Sequence, residues 1–156
     1  MLDRVDFPLT TSQISEFILD KGYTTYFRLQ SALAELTDSG LLKIELTHNR
    51  TLYNLTEEGA ATINYFRNKI SPEIRQEIDN FINEKKYDLK EEVSVKSDYY
   101  LNTNHEYEVK CQILENGSHL IDMTLTVPTQ TEAKAIVNNW NRKNQEIYAL
   151  LLSQLL

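Results

Sequence analysis

Residues 40–59 read GLLKIELTHNRTLYNLTEEG. Two short runs, Leu42 to Leu46 and Thr51 to Leu55, alternate apolar and polar side chains around a polar tip, His48-Asn49-Arg50. Alternation with period 2 predicts two strands, each with one face turned inward, joined as a hairpin. Gly40 in front is a helix stop. Thr56 behind it, followed by Glu57 and Glu58, is a helix start: a hydroxyl that caps and acids in the first turn. A hairpin therefore sits directly between two helices.

Upstream, Thr10-Thr11-Ser12-Gln13 has the form of a capping box, with Ile14, Phe17 and Ile18 on one face behind it and Gly22 closing the helix. Thr24-Thr25 opens the next signal. Leu29, Leu33 and Leu36 fall at i, i+4 and i+7, so they line one side, while Arg28, Ser31, Glu35 and Asp38 line the other. Between Gly22 and Leu29 there is room for about one or two turns at 3.6 residues each. The expected order is helix, short helix, helix, hairpin, with the three leucines in the core.

Downstream of the hairpin, Ile63, Phe66 and Ile70 continue a helix begun at Thr56. Ser71-Pro72-Glu73 starts another, whose inward stripe is Ile74, Ile78, Phe81 and Ile82. From about Glu92 the period changes to 2. Val93, Val95 and Tyr99 form one set, Tyr107, Val109, Cys111 and Ile113 a second, and Ile121, Met123, Leu125 and Val127 a third. Asn116-Gly117 marks the turn between the last two. A plain two-residue turn would set Cys111 opposite Asp122 and put the apolar faces on opposite sides. A three-residue loop with Gly117 as the left-handed bulge residue sets Cys111 opposite Ile121 and Val109 opposite Met123, and is preferred because register must keep one face buried. After Pro128, the capping box Thr129 to Glu132 starts a helix with Ala133, Ile136, Val137 and Trp140 on one face, running towards the end.

The expectation is an α+β protein in two parts. Residues 1–70 hold the helices and hairpin. Residues 71–156 hold a helix, a three-stranded antiparallel sheet and a long C-terminal helix that flank it.

Composition narrows the function. Of 156 residues, 41% are hydrophobic, as in globular proteins. No apolar run is long enough to span a bilayer, and the start MLDRVDFPLT lacks a basic n-region followed by an apolar h-region. The single cysteine, Cys111, has no internal partner. These features predict a cytoplasmic protein, in which the Asn-x-Ser/Thr triplets at Asn49, Asn54 and Asn116 match the glycosylation pattern by chance. The net charge is −7, with seven Lys/Arg against nine Asp/Glu in residues 1–70 and nine against fourteen in the remainder. Neither part is a basic nucleic-acid binder overall, so any phosphate affinity must be local.

Three helices followed by a two-stranded hairpin describe a winged helix-turn-helix, whose third helix enters a DNA major groove while the hairpin reaches the neighbouring backbone. Leu29 to Leu42, LQSALAELTDSGLL, resembles the recognition helix and exit of bacterial winged-helix transcriptional regulators. Tyr53 to Gly59, YNLTEEG, resembles the Tyr-x-Leu-Thr-x-x-Gly that closes their wing. The whole chain, most tellingly MLDRVDFPLTTSQISEFILDKGYT, resembles an uncharacterised Gram-positive family, a domain of unknown function with an N-terminal winged helix. That resemblance implies a fold and a regulatory role, and names no ligand or target.

On this reading the DNA-binding residues are Thr24, Thr25, Tyr26, Arg28, Gln30 and Ser31 at the helix entry, Lys43 at the base of the wing, and His48, Asn49 and Arg50 at its tip. Hydroxyls and amides suit phosphates or base edges, and Arg28 can fork onto a guanine. Glu35 and Asp38 oppose this by repelling phosphate. Three or four phosphate contacts predict a salt slope of roughly −3 to −4 per monomer. The partner is double-stranded DNA, read by a homodimer whose contact is the apolar C-terminal helix, with Ile147, Leu151 and Leu155 on one side and Leu150 nearby. Packing of that helix on its own sheet is the competing use. The other functional reading is a non-catalytic module that contacts protein.

No catalytic set is expected. The chain lacks a Gly-rich phosphate loop, a Gly-x-Ser-x-Gly and His/Cys spacing for zinc. In the bulged register His105 and His119 do not face one another, so no metal pair forms. Cys111 reads as a small buried hydrophobe. Tyr99, Tyr100 and Tyr107 with Trp140 suit sheet packing better than a ligand pocket. No cofactor is implied.

Overall fold

The computed structural model describes residues 1–47, 50–115 and 118–156. The tip residues His48 and Asn49, and the turn residues Asn116 and Gly117, lie outside the described residues. The chain is α+β and forms two compact units, Met1–Val93 and Ser94–Leu156. The unit boundary falls after Val93 and not near residue 70.

In the first unit a 3-10 turn, Leu2–Arg4, precedes a two-residue strand β1, Leu9–Thr10. Helix α1, Thr11–Asp20, starts at the capping box: Thr10 Oγ1 accepts from the Gln13 amide at 3.1 Å, and Gln13 Oε1 accepts from the Thr10 amide at 2.9 Å. Helix α2 spans Tyr26–Asp38 with Thr25 as its N-cap. The short helix expected between Gly22 and Leu29 is absent, because α2 itself begins one turn before Leu29. Both helices end in the same way. Gly22 and Gly40 adopt φ values of +67° and +72°, and each is the left-handed residue of a Schellman motif. The Gly22 and Tyr23 amides donate to Leu19 and Ile18, and those of Gly40 and Leu41 donate to Thr37 and Leu36.

The hairpin pairs β2, Leu42–Leu46, with β3, Thr51–Leu55, setting Leu42 opposite Leu55 and Ile44 opposite Tyr53. Strand β1 joins its other edge through Leu9 opposite Tyr53, giving the order β1-β3-β2. Sequence reading missed β1 because two residues carry no period. Leu9, Ile14, Leu29, Leu33, Leu42 and Tyr53 form the core of this unit. Leu36, expected among them, is 38% exposed.

Helix α3, Glu57–Phe66, is capped by Thr56, whose hydroxyl accepts from the Gly59 amide at 3.0 Å. The same hydroxyl lies 2.8 Å from the Gly40 carbonyl oxygen and 3.0 Å from that of Leu41. A 3-10 turn, Arg67–Lys69, leads to α4, Pro72–Ser94. Helix α4 belongs with this unit through specific bonds. Arg4 pairs with Asp79 at 2.9 Å, Gln13 Nε2 donates to the Leu89 carbonyl at 3.1 Å and to Glu92 Oε2 at 2.8 Å, and Lys85 meets Glu16. Phe81 meets Phe17 at a tilt of 47° with ring centres 5.0 Å apart. Val93 was expected at the start of a strand. It closes the buried helical stripe Ile82-Leu89-Val93 instead, since a valine four residues after a buried leucine satisfies the helical period as well as the alternating one.

The second unit is an antiparallel sheet of order β4-β5-β6, formed by Val95–Leu101, Tyr107–Glu115 and Ser118–Val127. Helix α5, Gln130–Leu155, packs on it, so of the expected flanking helices only α5 covers the sheet within this unit. Cys111 lies opposite Met123, and Val109 opposite Leu125. The expected pairs, Cys111 with Ile121 and Val109 with Met123, are therefore two residues out. The apolar faces still agree. Glu115 pairs with Ser118 and Leu114 with His119, as in the two-residue connection, and an irregularity between Ile113 and Leu114 then restores the phase. The inner face, with Val109 and Cys111 fully buried, meets Ala133, Val137 and Trp140 of α5. Tyr99 and Tyr107 pack against the same cluster, their rings 6.1 Å apart, whereas Tyr100 is half exposed and bonds Glu108. Among the described residues no helix is long and apolar enough to cross a membrane.

Candidate functional site

The outward face of α2 and the hairpin that follows it carry most of the residues singled out from sequence. The Schellman turn at Gly40 fixes this junction, sending the chain from the last turn of α2 straight into β2. At the entry of α2, Thr24 is half-buried and Thr25 exposed. Thr25 makes no side-chain cap bond, although its carbonyl accepts from the Leu29 amide at 3.0 Å. The first amides of α2 therefore keep unsatisfied N–H groups at the positive end of a thirteen-residue helix dipole. Tyr26, Arg28 and Ser31 are exposed. Gln30 is not offered outward, since its Nε2 is buried without a partner.

On the hairpin, Lys43 is exposed in β2 and pairs across the ladder with Asn54. Arg50 is turned back: its Nη1 donates to the Glu92 carbonyl near the end of α4. Its backbone is bracketed by Thr47, whose amide donates to the Arg50 carbonyl at 2.9 Å while its Oγ1 accepts from the Arg50 amide at 3.1 Å. Thus α2 gathers Thr25, Tyr26, Arg28 and Ser31 on one exposed stretch, with Lys43 on the following strand, while Gln30 and Arg50 face the protein.

The formal charges cancel. Arg28, Lys43 and Arg50 stand against Glu35, Asp38 and Glu45, all on α2 or the hairpin. At this balance, local geometry and not a broad positive field has to supply affinity for any anion.

Sequence reasoning overlooked Phe27. It is 81% exposed and meets Tyr26, 53% exposed, edge to face with ring centres 6.0 Å apart. The signal was available, because position 27 lies off the Leu29-Leu33 stripe and so on the solvent side of the helix.

Elsewhere, Cys111 is fully buried, and burial raises its thiol pKa to about 11. Tyr23 donates to the Glu77 carboxylate, which raises the phenol pKa and lowers that of the carboxyl. Among the described residues, no three His, Cys, Asp or Glu side chains are placed to hold a metal ion.

No curated protein and no solved structure matches the chain. A family model described as a domain of unknown function, DUF4364, matches residues 1–155, and the chain belongs to that family.

Proposed function

We propose that the N-terminal part of the first unit is a winged helix-turn-helix that binds double-stranded DNA, and that the protein is a cytoplasmic transcriptional regulator acting as a homodimer. The observation that carries this reading is the element order β1-α1-α2-β2-β3 with strand order β1-β3-β2. It leaves one helix, α2, with an outward polar and aromatic face joined directly to a β-hairpin, the arrangement a winged helix lays along a duplex. Helix α2 is the recognition helix. Its free N-terminal amides and Thr25 suit a phosphate, Arg28 suits a guanine edge, and Phe27 suits a thymine methyl group.

Association through α5 is supported by its last turns. Ile147 and Tyr148 pack on the sheet, while Leu150 is 60% and Leu155 78% exposed. On this reading Leu150→Glu together with Leu155→Glu converts a dimer to a monomer in light scattering, with the far-ultraviolet spectrum unchanged. A wild-type monomer at high concentration removes the dimer from the proposal.

A second reading, a non-catalytic protein-interaction module, is favoured by Phe27 and Tyr26, since exposed aromatics anchor protein interfaces, and by the balance of charge. Titration of labelled random-sequence duplex at low and moderate salt separates the two. DNA binding that weakens with salt and on Arg28→Ala supports the regulator. No binding even at low salt ends it in favour of the interaction module.

A further inference from the structure

The first unit contains an apolar hollow of about 360 Å³ between α2 and α3, floored by Ile14 and Leu33 and walled by Leu36 and Ile63. Asp3 and Thr62 are the polar side chains on its lining. Interiors pack to near crystal density, with few voids larger than a water molecule, so a hollow this size needs a cause. Helix α3 supplies it. The Thr56 hydroxyl ties the start of α3 to the Gly40 and Leu41 carbonyls, and Gly59 lies against Leu41 with no room for a Cβ. Among the described residues the far end of α3 shows no such tie, and Phe66 there is 46% exposed. Gly59 at the tied end and Phe66 at the far end both lie on the lining of the hollow. The hollow opens to solvent beside Ala32 and Leu36, both exposed.

At one end this hollow adjoins a smaller one of about 60 Å³ that shares Met1, Asp3, Ile63 and Ile78 with it and is lined by three arginines, Arg4, Arg67 and Arg75. Arg4 is neutralised by Asp79. Arg75 has its Nε buried without a hydrogen-bond partner among the described residues, and Asp3 is the one carboxylate on the lining. Arg67 and Arg75 therefore stand beside an apolar groove, with Asp3 opposing them on the lining and Glu73 near enough to Arg75 to feel its charge, in a protein whose overall charge is −7.

We propose that this groove binds an amphiphilic monocarboxylate. The apolar tail lies between α2 and α3, and the carboxylate meets Arg67 and Arg75. At roughly 30 Å³ for each group of water or methylene size, the larger hollow takes a tail of about a dozen carbons. A guanidinium binds a carboxylate through paired, charge-assisted hydrogen bonds, which gives the head its sign, and the apolar walls give the tail its affinity. The site uses Ala32 and Leu36 of α2 but none of Thr25, Tyr26, Arg28 or Ser31, so the inference goes beyond the DNA-binding reading and is tested separately from it.

Calorimetric titration of the full chain with decanoate below its micelle concentration tests it, with decan-1-ol and decyltrimethylammonium as uncharged and cationic probes of equal length. One saturable decanoate site is expected, with decan-1-ol and the cation at least about tenfold weaker, the factor one charge-assisted pair supplies. Arg67→Gln with Arg75→Gln removes that preference and leaves decan-1-ol affinity within about threefold, which also shows that the variant is folded. Ala32→Trp fills the groove and weakens both probes. Equal binding of all three by the wild type overturns the proposal, as does no saturable decanoate site. Capture by phosphatidylglycerol vesicles without uptake of free decanoate also overturns it, in favour of a membrane surface. Protection of Ala32 and Leu36 from hydrogen exchange that grows with protein concentration and resists decanoate overturns it in favour of a second copy of the chain.

Discussion

Arg50 donates from Nη1 to the carbonyl oxygen of Glu92 at 2.6 Å, so the guanidinium next to the hairpin tip closes the last turn of α4. Glu92 is three residues from the end of that helix, counting inclusively, among the carbonyls with no partner within it. A cation there also meets the negative end of the helix dipole. Arg50→Ala is expected to lower stability by about 0.5–1 kcal/mol. Urea unfolding checks this through a lower midpoint at an unchanged slope. It also changes how a DNA experiment is read: if the variant keeps duplex affinity within about twofold, Arg50 serves the fold.

The same contact alters the expected salt dependence. With Arg50 engaged, Arg28 and Lys43 are the exposed cations of α2 and the described hairpin. At a slope of about −0.9 for each phosphate neutralised, log affinity against log salt should fall with a slope of roughly −2 per protomer. The charge count read from sequence gave roughly −3 to −4. Anisotropy titrations from 50 mM to 200 mM salt distinguish these values, and a steep slope would mean that Arg50 leaves Glu92 for phosphate.

The glycines separate two physical causes. In a helix interior, alanine normally exceeds glycine in stability by roughly 0.5–1 kcal/mol. At Gly59 an added Cβ would fall on the Leu41 carbonyl oxygen and within 2.8 Å of Leu55 Cδ1. Backbone cannot yield as a flexible side chain can, so Gly59→Ala should destabilise by about 1–3 kcal/mol despite its better propensity. Gly40 has open space around it but a φ of +72°. Gly40→Ala should cost about 1–2 kcal/mol through backbone strain alone, and Gly40→Asn less. Chemical denaturation of the three variants ranks them, and a stabilised Gly59→Ala would contradict the close approach.

Cys111 predicts a pH dependence. Burial raises its pKa from 9.0 to about 11. Below pH 9 the thiol is protonated in both the folded and unfolded chain, and its contribution is fully present. As pH rises from about 9 to about 11, the unfolded chain releases the proton first, so folded stability falls. The native thiol should therefore resist aromatic disulfide reagents at pH 8 and react at once in denaturant. In denaturation series from pH 8 to pH 11, the stability loss of wild type should exceed that of Cys111→Ala. A native thiol that titrates at pH 8 would show the strand face to be open.

Much of the fold was legible because local chemistry is read from neighbours in sequence. The capping boxes at Thr10 and Thr129, the glycine stops at 22 and 40 and the hairpin from Leu42 to Leu55 all appear where residues a few positions apart dictate them. What was misread depends on partners distant in the chain. Val93 fits a strand or a helix until its burial selects the helix. Cys111 and Met123 are matched by an irregularity that no pair of neighbours announces. At the candidate site, the outward placement of Arg28 and Ser31 followed from helical period, but the inward turn of Gln30 and Arg50 did not. Period assigns a face to a residue and leaves the rotamer to whatever acceptor lies near.

By itself, then, the sequence determined the long helices and strands, their caps and glycine stops, and the inward face of most of them, because those follow from dihedral preference and the periods 3.6 and 2. Tertiary structure alone decided that α4 joins the first unit, that Arg50 closes a helix, and that α2 and α3 enclose a groove beside two arginines. These depend on contacts such as Arg4 with Asp79 and Gln13 with Leu89, 75 and 76 residues apart in the chain, which form only when the whole unit packs.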